Sequence, residues 1–511
     1  MEHRNQPGAA RLWRRLTVAL LAAAIVGLIL PQHAAGAAPI LATDVDDVVL
    51  SPDGTRIAYR VRQGLNPSTY ELYSVPLAGG TPARLDGGSP SQQPNQIAFS
   101  QDSSEIFFTQ ALTTSDRLYR VPATGGAPAL LLDGGPEGCL WISGLAVSPD
   151  GQYLLAQCVR PSSTPPGLYS VPLAGGPPVL LNSKRFGAPA ISPDSSRAVF
   201  IEFDNSNQYE LVSARLSDGV PVTIAPPEGL FDGTFEISPD SSRVVFTTIT
   251  PRRLYSAPLA GGAAADLSGT HQPRGITLTG LMREIHPFQV LPDSSAAIFP
   301  TADGQGFYRT PLSGGTPTMI GDTQTRKAQP VYVVTPDGQR LIYAGKDDND
   351  QNPLYSIALA GGDSIELGIN QAIGKYGYDL RVSPDSRTVV ALGYDPAAGW
   401  YLARALAAGG STTRLLKGPP LSETTRSYLD PAGRHALFTG TGPNNALFAA
   451  PLASSGATWR VTEPFAENEG VLRFQVTPDG RTIVYVIGGD RGPLRVASLE
   501  QSLVFLPLAR R

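Results

Sequence analysis

Histidine, cysteine and lysine are scarce in this chain of 511 residues: it holds 5 His, 2 Cys and 5 Lys among 40 basic residues. Beyond the N-terminal segment the histidines are His271, His286 and His435. They show no His-x-His or His-x-x-x-His spacing, so solvated loop or strand histidines are expected rather than a zinc site. The chain has no Walker motif, no dinucleotide fingerprint and no paired-cysteine metal motif, which removes the usual phosphate- and metal-holding loops. Glycine shows no every-third-residue period, which excludes a collagen. No apolar run reaches the roughly 20 residues of a membrane span. What is abundant is glycine and proline, 54 and 47 residues. Helix interiors tolerate neither. A hydrophobic content of 41% with 18 Tyr and 17 Phe is too rich for disorder. A turn-dense, all-β globular protein remains.

The N-terminus reads as a signal peptide over residues 1–37. Arg4, Arg11, Arg14 and Arg15 form a basic region, and Leu16 to Leu30 is apolar apart from Thr17 and Gly27. Ala35-Gly36-Ala37 then offers small residues for cleavage. A retained anchor is the bland alternative. Without Glu2 and those four arginines, the 40 basic and 44 acidic residues become 36 and 43, a net charge of −7. That balance disfavours nucleic acid or an anionic membrane surface as partner. After cleavage no membrane span is expected, and the location is secreted, periplasmic or in the cell envelope. Cys139 and Cys158 fall in one expected hairpin about the turn Ser148–Gly151, with Cys158 opposite residue 141. In an exported protein either a disulfide or two buried thiols fits.

An internal repeat decides the fold. Turns recur as Ser51-Pro52-Asp53-Gly54, Ser148-Pro149-Asp150-Gly151, Thr335-Pro336-Asp337-Gly338 and Thr477-Pro478-Asp479-Gly480. Asp194, Asp240, Asp293 and Asp385 lie in turns of the same kind with Ser in place of Gly. Ser100-Gln101-Asp102-Ser103 and Asp430-Pro431-Ala432-Gly433 are degenerate copies. Counted from the Pro position, the spacings are 49, 48, 44, 46, 53, 44, 48, 47 and 47. Pro presets φ at the second turn position, Ser or Thr at the first accepts a local hydrogen bond, and Gly at the fourth supplies positive φ. Apolar residues two apart follow each turn, as in Ile57 and Tyr59, which marks one face of a strand. A Leu-Tyr strand then runs into a Gly-Gly pair, as in Leu72 to Gly80, expected to form a primed-turn hairpin. Each of the ten units thus holds four short strands, one blade of a β-propeller.

The Ser-Pro-Asp-Gly turn, the apolar-x-aromatic strand and the Leu-Tyr…Gly-Gly hairpin resemble the WD40-like propeller repeats of TolB. Tricorn-type and prolyl-oligopeptidase-type peptidases carry similar repeats. The resemblance covers nearly all of the chain after residue 37 and implies the fold; propellers host unrelated functions. TolB carries an α/β domain before its propeller, whereas here the repeats begin almost at the cleavage site, so the TolB role is not transferred. No Gly-x-Ser-x-Gly elbow is present, which disfavours a peptidase of those types.

The expected organisation is a signal peptide over 1–37 and propeller repeats over 38–511, with one large ring favoured over two smaller rings divided near 270–287. The turn carboxylates Asp53, Asp150, Asp194, Asp240, Asp293, Asp337, Asp385 and Asp479 are read as structural, because they recur at a turn. Asp348 and Asp350 alternate like the start of a calcium loop but lack the following Gly and the distal Glu, so no cofactor is expected and calcium there stays a weak alternative. The strand before each turn is expected nearest the axis. Its beginnings carry Arg185, Arg283, Glu284, His286, Lys327, Lys375, Tyr376 and Arg426, read as a binding surface at the channel mouth. No catalytic residue is assigned. The expected function is a non-enzymatic scaffold for a protein or small ligand, with a hydrolase or lyase at the channel as the alternative.

Overall fold

The structure is a computed structural model. It describes residues 40–500 except 65–68, 92–95, 112–114, 134–138, 160–166, 204–208, 225–230, 275–286, 305, 324–328, 330, 347–351, 372–378, 418–420, 423–424, 426, 440–445, 454–457, 463–468 and 490. The described residues contain strands and turns and no helix. They form eight four-stranded antiparallel sheets and one of seven strands. Each four-stranded sheet is one repeat with its strands in chain order, so repeats and blades coincide. Blades are numbered 1 to 10 after their turns.

The seven-stranded sheet joins the two ends of the chain. Its central strand, Ile40–Leu50, pairs on one side with Arg56–Gln63 of blade 1. On the other side it pairs with Gly492–Ser498 of blade 10. The division of labour is along its length. Val45 to Leu50 take the register of blade 1, from Val45 opposite Val61 to Leu50 opposite Ile57. Ile40 to Val45 supply the fourth strand of blade 10, with Ile40 opposite Arg495.

The hydrophobic core lies between blades. Ala58, Leu72 and Leu85 of blade 1 pack on Phe99, Ile106 and Phe108 of blade 2. Val484, Val486 and Leu494 of blade 10 pack in the same way on Val45, Ile57 and Tyr59 of blade 1. Blades 5 and 6, on either side of residues 270–287, share Val245, Leu254, Val290 and Phe299. One sheet face thus satisfies each of its two neighbours, which is why the second strand of a blade is buried nearly throughout, as in Arg197–Phe203.

The turns are stitched to one another. In blade 1, Ser51 donates its hydroxyl to Asp53 at 2.6 Å and accepts the Arg56 amide at 2.9 Å, while Asp53 accepts the Thr55 amide at 3.0 Å. The fourth position must adopt positive φ. Glycine fills it in five turns, and serine fills it in the others, with Ser103, Ser195, Ser241, Ser294 and Ser386 at φ 59 to 63°. A non-glycine residue there costs on the order of 1–2 kcal/mol. Each serine offsets part of that strain by accepting a hydrogen bond from the preceding blade. Asp53 N reaches Ser103 Oγ at 3.1 Å, Asp240 N reaches Ser294 Oγ at 3.0 Å, and Asp337 N reaches Ser386 Oγ at 2.8 Å. Where glycine stands, the backbones close up instead. A Cβ on Gly433 would meet Pro384 at 3.1 Å, and one on Gly54 would meet Pro478 of blade 10 at 2.8 Å.

The Gly-Gly connection departs from the two-residue primed turn expected from sequence. In blade 1 the strand ends at Pro76 and the next begins at Ala83. The turn is closed earlier, by the Gly79 amide on the Pro76 carbonyl at 2.9 Å. Gly79 and Gly80, at φ 88° and 132°, redirect the chain after that turn. Proline ends the strand because it lacks the amide needed to extend the ladder.

Candidate functional site: the wall formed by the first strands

The first strand of each four-stranded blade has one partner and one open edge, and in blade 1 the half Val45–Leu50 is likewise paired on one side. Amides on such an edge are orphan donors. The residue three before the turn proline answers this need in several blades. Glu236 Oε2 of blade 5 accepts the Val290 amide of blade 6 at 3.1 Å. Gln289 Oε1 of blade 6 accepts the Val334 amide of blade 7 at 2.9 Å. Gln475 Oε1 of blade 10 accepts the Leu50 amide of blade 1 at 2.6 Å. These bonds bring successive first strands together. In all ten blades this position stays at least partly exposed.

Read around the channel, the position carries Val49, Ala98, Ala146, Ala190, Glu236, Gln289, Val333, Arg381, Tyr428 and Gln475. Blades 1 to 4 therefore present small apolar side chains, and blades 8 to 10 present an arginine, a tyrosine and a glutamine. Arg381 donates Nε to the Ser427 carbonyl of blade 9 at 3.3 Å and lies 3.6 Å from Asp379. Asp379 in turn accepts the Ser427 amide at 2.9 Å. Tyr428 is 48% exposed and stands edge-on to Phe474 of blade 10, with ring centroids 5.0 Å apart. Beside Phe474, Arg473 pairs with Asp47 of blade 1 at 2.9 Å. Asp46 and Asp47 also hold the buried Arg60, at 2.8 and 3.5 Å. The blade 9–10–1 wall thus combines an exposed aromatic pair with a compensated charge cluster.

Glu236 is the unusual acid of this wall. Burial pushes its carboxyl up to about 7, against the lowering effect of the Val290 amide. The Tyr332 hydroxyl of blade 7 feels its charge, is buried, and has no hydrogen-bond partner among the described residues. A perturbed acid on these first strands marks a site candidate.

Asp430 and His435 form a second coupled pair, on the turn of blade 9. Asp430 stands where eight of the other nine turns have Ser or Thr and blade 6 has Leu291. Its Oδ2 meets His435 Nδ1 at 2.9 Å, and it accepts the Arg434 amide at 3.1 Å. Burial pushes this carboxyl up, but the His435 ring and the backbone amides outweigh it and leave it below its ordinary value. The imidazole stands edge-on to Trp459 at 5.6 Å. The degenerate turn is therefore rebuilt around a carboxylate that does the work of both missing partners.

Of the residues expected at the channel mouth, Arg185 is described. It begins the first strand of blade 4, Arg185–Ile191, is exposed, and lays its guanidinium over Phe203 at 5.1 Å. Arg283, Glu284, His286, Lys327, Lys375, Tyr376 and Arg426 lie outside the described residues, as do Asp348, Asp350 and the signal segment 1–37. His271 stacks on Tyr308 at 4.0 Å. Cys139 and Cys158 are joined by a disulfide. Cys158 faces Ile142 in place of residue 141: the ladder leaves the turn two residues wider, with Leu154 opposite Val147, and a bulge between Leu155 and Gln157 takes one residue back. The residues that sequence reasoning missed, Glu236, Gln289, Arg381, Tyr428 and Gln475, were available by aligning the ten turns and reading the column three places upstream.

The repeat, the blade-by-blade sheets and the shared closing strand define a β-propeller protein. No protein-family model matches the chain, and no curated protein matches it in sequence. Solved structures do resemble it. A protein described as a putative TolB from Agrobacterium tumefaciens is 21% identical over 43% of this chain and 79% of its own, with a TM-score of 0.28. An oligogalacturonate lyase from Vibrio parahaemolyticus is 13% identical over 80% of this chain and 97% of its own, with a TM-score of 0.36. The β-propeller domain of the Trilobed protease from Pyrococcus furiosus is 12% identical over 73% of this chain and 98% of its own, with a TM-score of 0.31. Among the described residues no helix is long and apolar enough to cross a membrane.

Proposed function

We propose that this chain is an exported, non-enzymatic propeller of ten blades in one ring, which binds a protein or small ligand along the channel wall of blades 8 to 10. The single-ring reading is supported by the passage from blade 10 to blade 1. It repeats the contacts of internal junctions: a glutamine on the next blade's amide, a turn glycine against the preceding proline, and a shared apolar cluster. Export to the periplasm, the cell envelope or the medium is supported by the N-terminal pattern and by the Cys139–Cys158 bond, since disulfides persist in oxidising compartments.

The observation that carries the binding reading is Tyr428. A tyrosine 48% exposed on a first strand, where blades 2 to 4 have alanine, leaves about half of its surface in solvent and unused by packing. Exposed aromatic anchors beside charged groups suit recognition. Binding is tested by crosslinking the purified protein into the envelope fraction, with Tyr428→Ala alongside. Recovery of a partner by the native chain, reduced about tenfold or more for the variant, is expected for an anchor residue. Equal recovery by both would remove this wall from the reading.

The hydrolase or lyase reading draws on Glu236 alone, a carboxyl tuned to work near neutral pH. Its described neighbourhood offers a tyrosine and a backbone amide rather than a second acid or a histidine. Turnover of a glycoside, lactone or peptide that is lost in Glu236→Gln would establish that reading and exclude the first.

A further inference from the structure

Grooves open between neighbouring blades on the turn face, and their chemistry differs around the molecule. The groove between blades 2 and 3, about 370 Å³, is lined by Asp102, Glu105 and Asp150 with neutral polar neighbours. The corresponding groove between blades 8 and 9, about 360 Å³, is lined by Asp385, Arg387, Arg404, Ser411 and Thr413. The sign of the lining is reversed. The cause lies in the fifth position of the turn, which reads Thr55, Ser104, Gln152, Ser196, Ser242, Ser295, Gln339, Arg387, Arg434 and Arg481. Arginine occupies it in blades 8 to 10 alone.

Two of these arginines have a partner. Arg434 and Arg481 approach Glu500 at 3.9 and 3.0 Å. Arg387 is exposed, and the charge beside it is Asp385 of its own turn. That carboxylate is already engaged: its Oδ1 accepts the Ser383 hydroxyl at 2.6 Å and the Arg387 amide at 3.1 Å. Arg387 lines this groove and, with Asp385 and Leu406, also the neighbouring one between blades 7 and 8. Arg404 donates one nitrogen to the Leu452 carbonyl across the blade junction, and its remaining N–H groups are further donors. The rest of the lining is partly apolar. Leu406, 51% exposed, lines the groove together with Ala405, Leu452 and Ala453.

We propose that the groove between blades 8 and 9 is a binding site for a carboxylate carried on a short apolar stem, with Arg387 and Arg404 holding the head and Leu406 covering the stem. Planar guanidinium and carboxylate groups match in a two-bond geometry. A cavity of about 360 Å³ falls in the range of small-ligand sites. Two sources would supply this chemistry, a free short-chain organic acid and the C-terminal leucine of a peptide. The site is separate from the channel wall, and its lining includes neither Tyr428 nor Glu236.

The test is titration of the full chain with hexanoate, followed by ligand-observed NMR at low salt, with hexanol and acetate as probes of head and stem. Hexanoate is expected to bind, and each of the other two to bind at least about tenfold more weakly, the loss expected for one charged hydrogen bond or a few buried methylenes. Arg387→Gln is the decisive variant. Glutamine stands at the same turn position in blades 3 and 7, where the backbone amides of Gln152 and Gln339 donate to the turn aspartate at 2.9 and 3.0 Å, as that of Arg387 does at 3.1 Å, so the turn is preserved. About a tenfold loss of hexanoate affinity in Arg387→Gln is expected. Acetyl-Ala-Ala-Leu binding more tightly than hexanoate would assign the site to a peptide terminus, and weaker binding to a free acid. Absence of hexanoate binding, or equal binding by Arg387→Gln, overturns the proposal. Tyr428→Ala leaves this titration unchanged, so failure here and failure of the channel-wall reading are read separately.

Discussion

In blades 1 to 4 the channel position carries Val49, Ala98, Ala146 and Ala190, and the fifth turn position carries Thr55, Ser104, Gln152 and Ser196. In blades 8 to 10 the same two positions carry Arg381, Tyr428 and Gln475, and Arg387, Arg434 and Arg481. Both sets of blades keep the turn, with proline in all but blade 2, and the strands behind it. The scaffold therefore fixes those features and leaves two columns open, one toward the channel and one toward the turn face. Blades 1 to 4 fill both columns with inert or small side chains. Blades 8 to 10 fill both with long polar or aromatic ones, so chemistry is concentrated on one arc. Glu236 and Gln289 of blades 5 and 6 stand between these extremes, since each is bonded to the next blade.

The comparison can be broken most strongly at Glu236, where blade 5 carries a carboxyl and blades 2 to 4 carry alanine. Its folded value is raised from 4.5 to about 7. The protonated form is favoured in the folded state, so its stabilisation is complete below about pH 4.5 and is lost as pH rises through 7. Glu236→Gln keeps the acceptor for Val290 and removes the titration. Denaturant unfolding should find this variant more stable than the native chain by about 2–3 kcal/mol at pH 8 and equal to it near pH 4. A flat difference between those pH values would show that the carboxyl is solvated.

Blade 9 supplies the next test. Asp430→Ala removes the acceptor for the Arg434 amide and the His435 ring, and a cost of about 2 kcal/mol is expected from buried donors left unpaired. The double change Asp430→Ser with Ala432→Asp rebuilds the turn found in blades 1 and 3 and should recover most of that loss in the same unfolding experiment. If the double variant is no better than Asp430→Ala, the histidine pair is indispensable and blade 9 cannot be treated as one of the common blades.

The smallest effect is expected at the stitch between blades 7 and 8. Ser386→Ala keeps a strained backbone and loses the bond from Asp337, at a cost of about 1 kcal/mol. Ser386→Gly loses the same bond but relieves the strain at φ 63°, and should lie within about 0.5 kcal/mol of the native chain. Equal losses in both would mean that the hydrogen bond alone decides the position.

The four-stranded blade was legible because its cause is local. Proline, aspartate and a residue tolerant of positive φ specify a turn within four residues, and the strands on either side alternate with period two. The serines at the fourth position were harder to read. A serine in the left-handed region is explained by a partner 45 to 54 residues away, and no local pattern announces that partner. The channel wall was less legible still. Glu236, Gln289 and Gln475 reveal a role only after the open edge of the next blade's first strand is known to need an acceptor. The expected channel-mouth set was drawn from strand beginnings, while the bonds that join the first strands come from the other end, next to the turn. The Gly-Gly hairpin was misread for a related reason. Two positive-φ glycines suggest a two-residue turn, but the hydrogen bond that closes the turn falls before the pair, between Pro76 and Gly79.

The strand Ile40–Leu50, which pairs with both Arg56–Gln63 and Gly492–Ser498, imposes an order on the life of the molecule. A chain made from its N-terminus presents half of this strand hundreds of residues before the segment that will cover it exists. Until the last hairpin arrives, the outer edge of Ile40 to Val45 is an exposed template on which foreign strands can add. The latch is also the slowest contact to form, since its two halves are the most distant in sequence. Maturation of the fold is therefore gated by completion of its C-terminal end, and a chain cut short there loses its clasp along with its final blade.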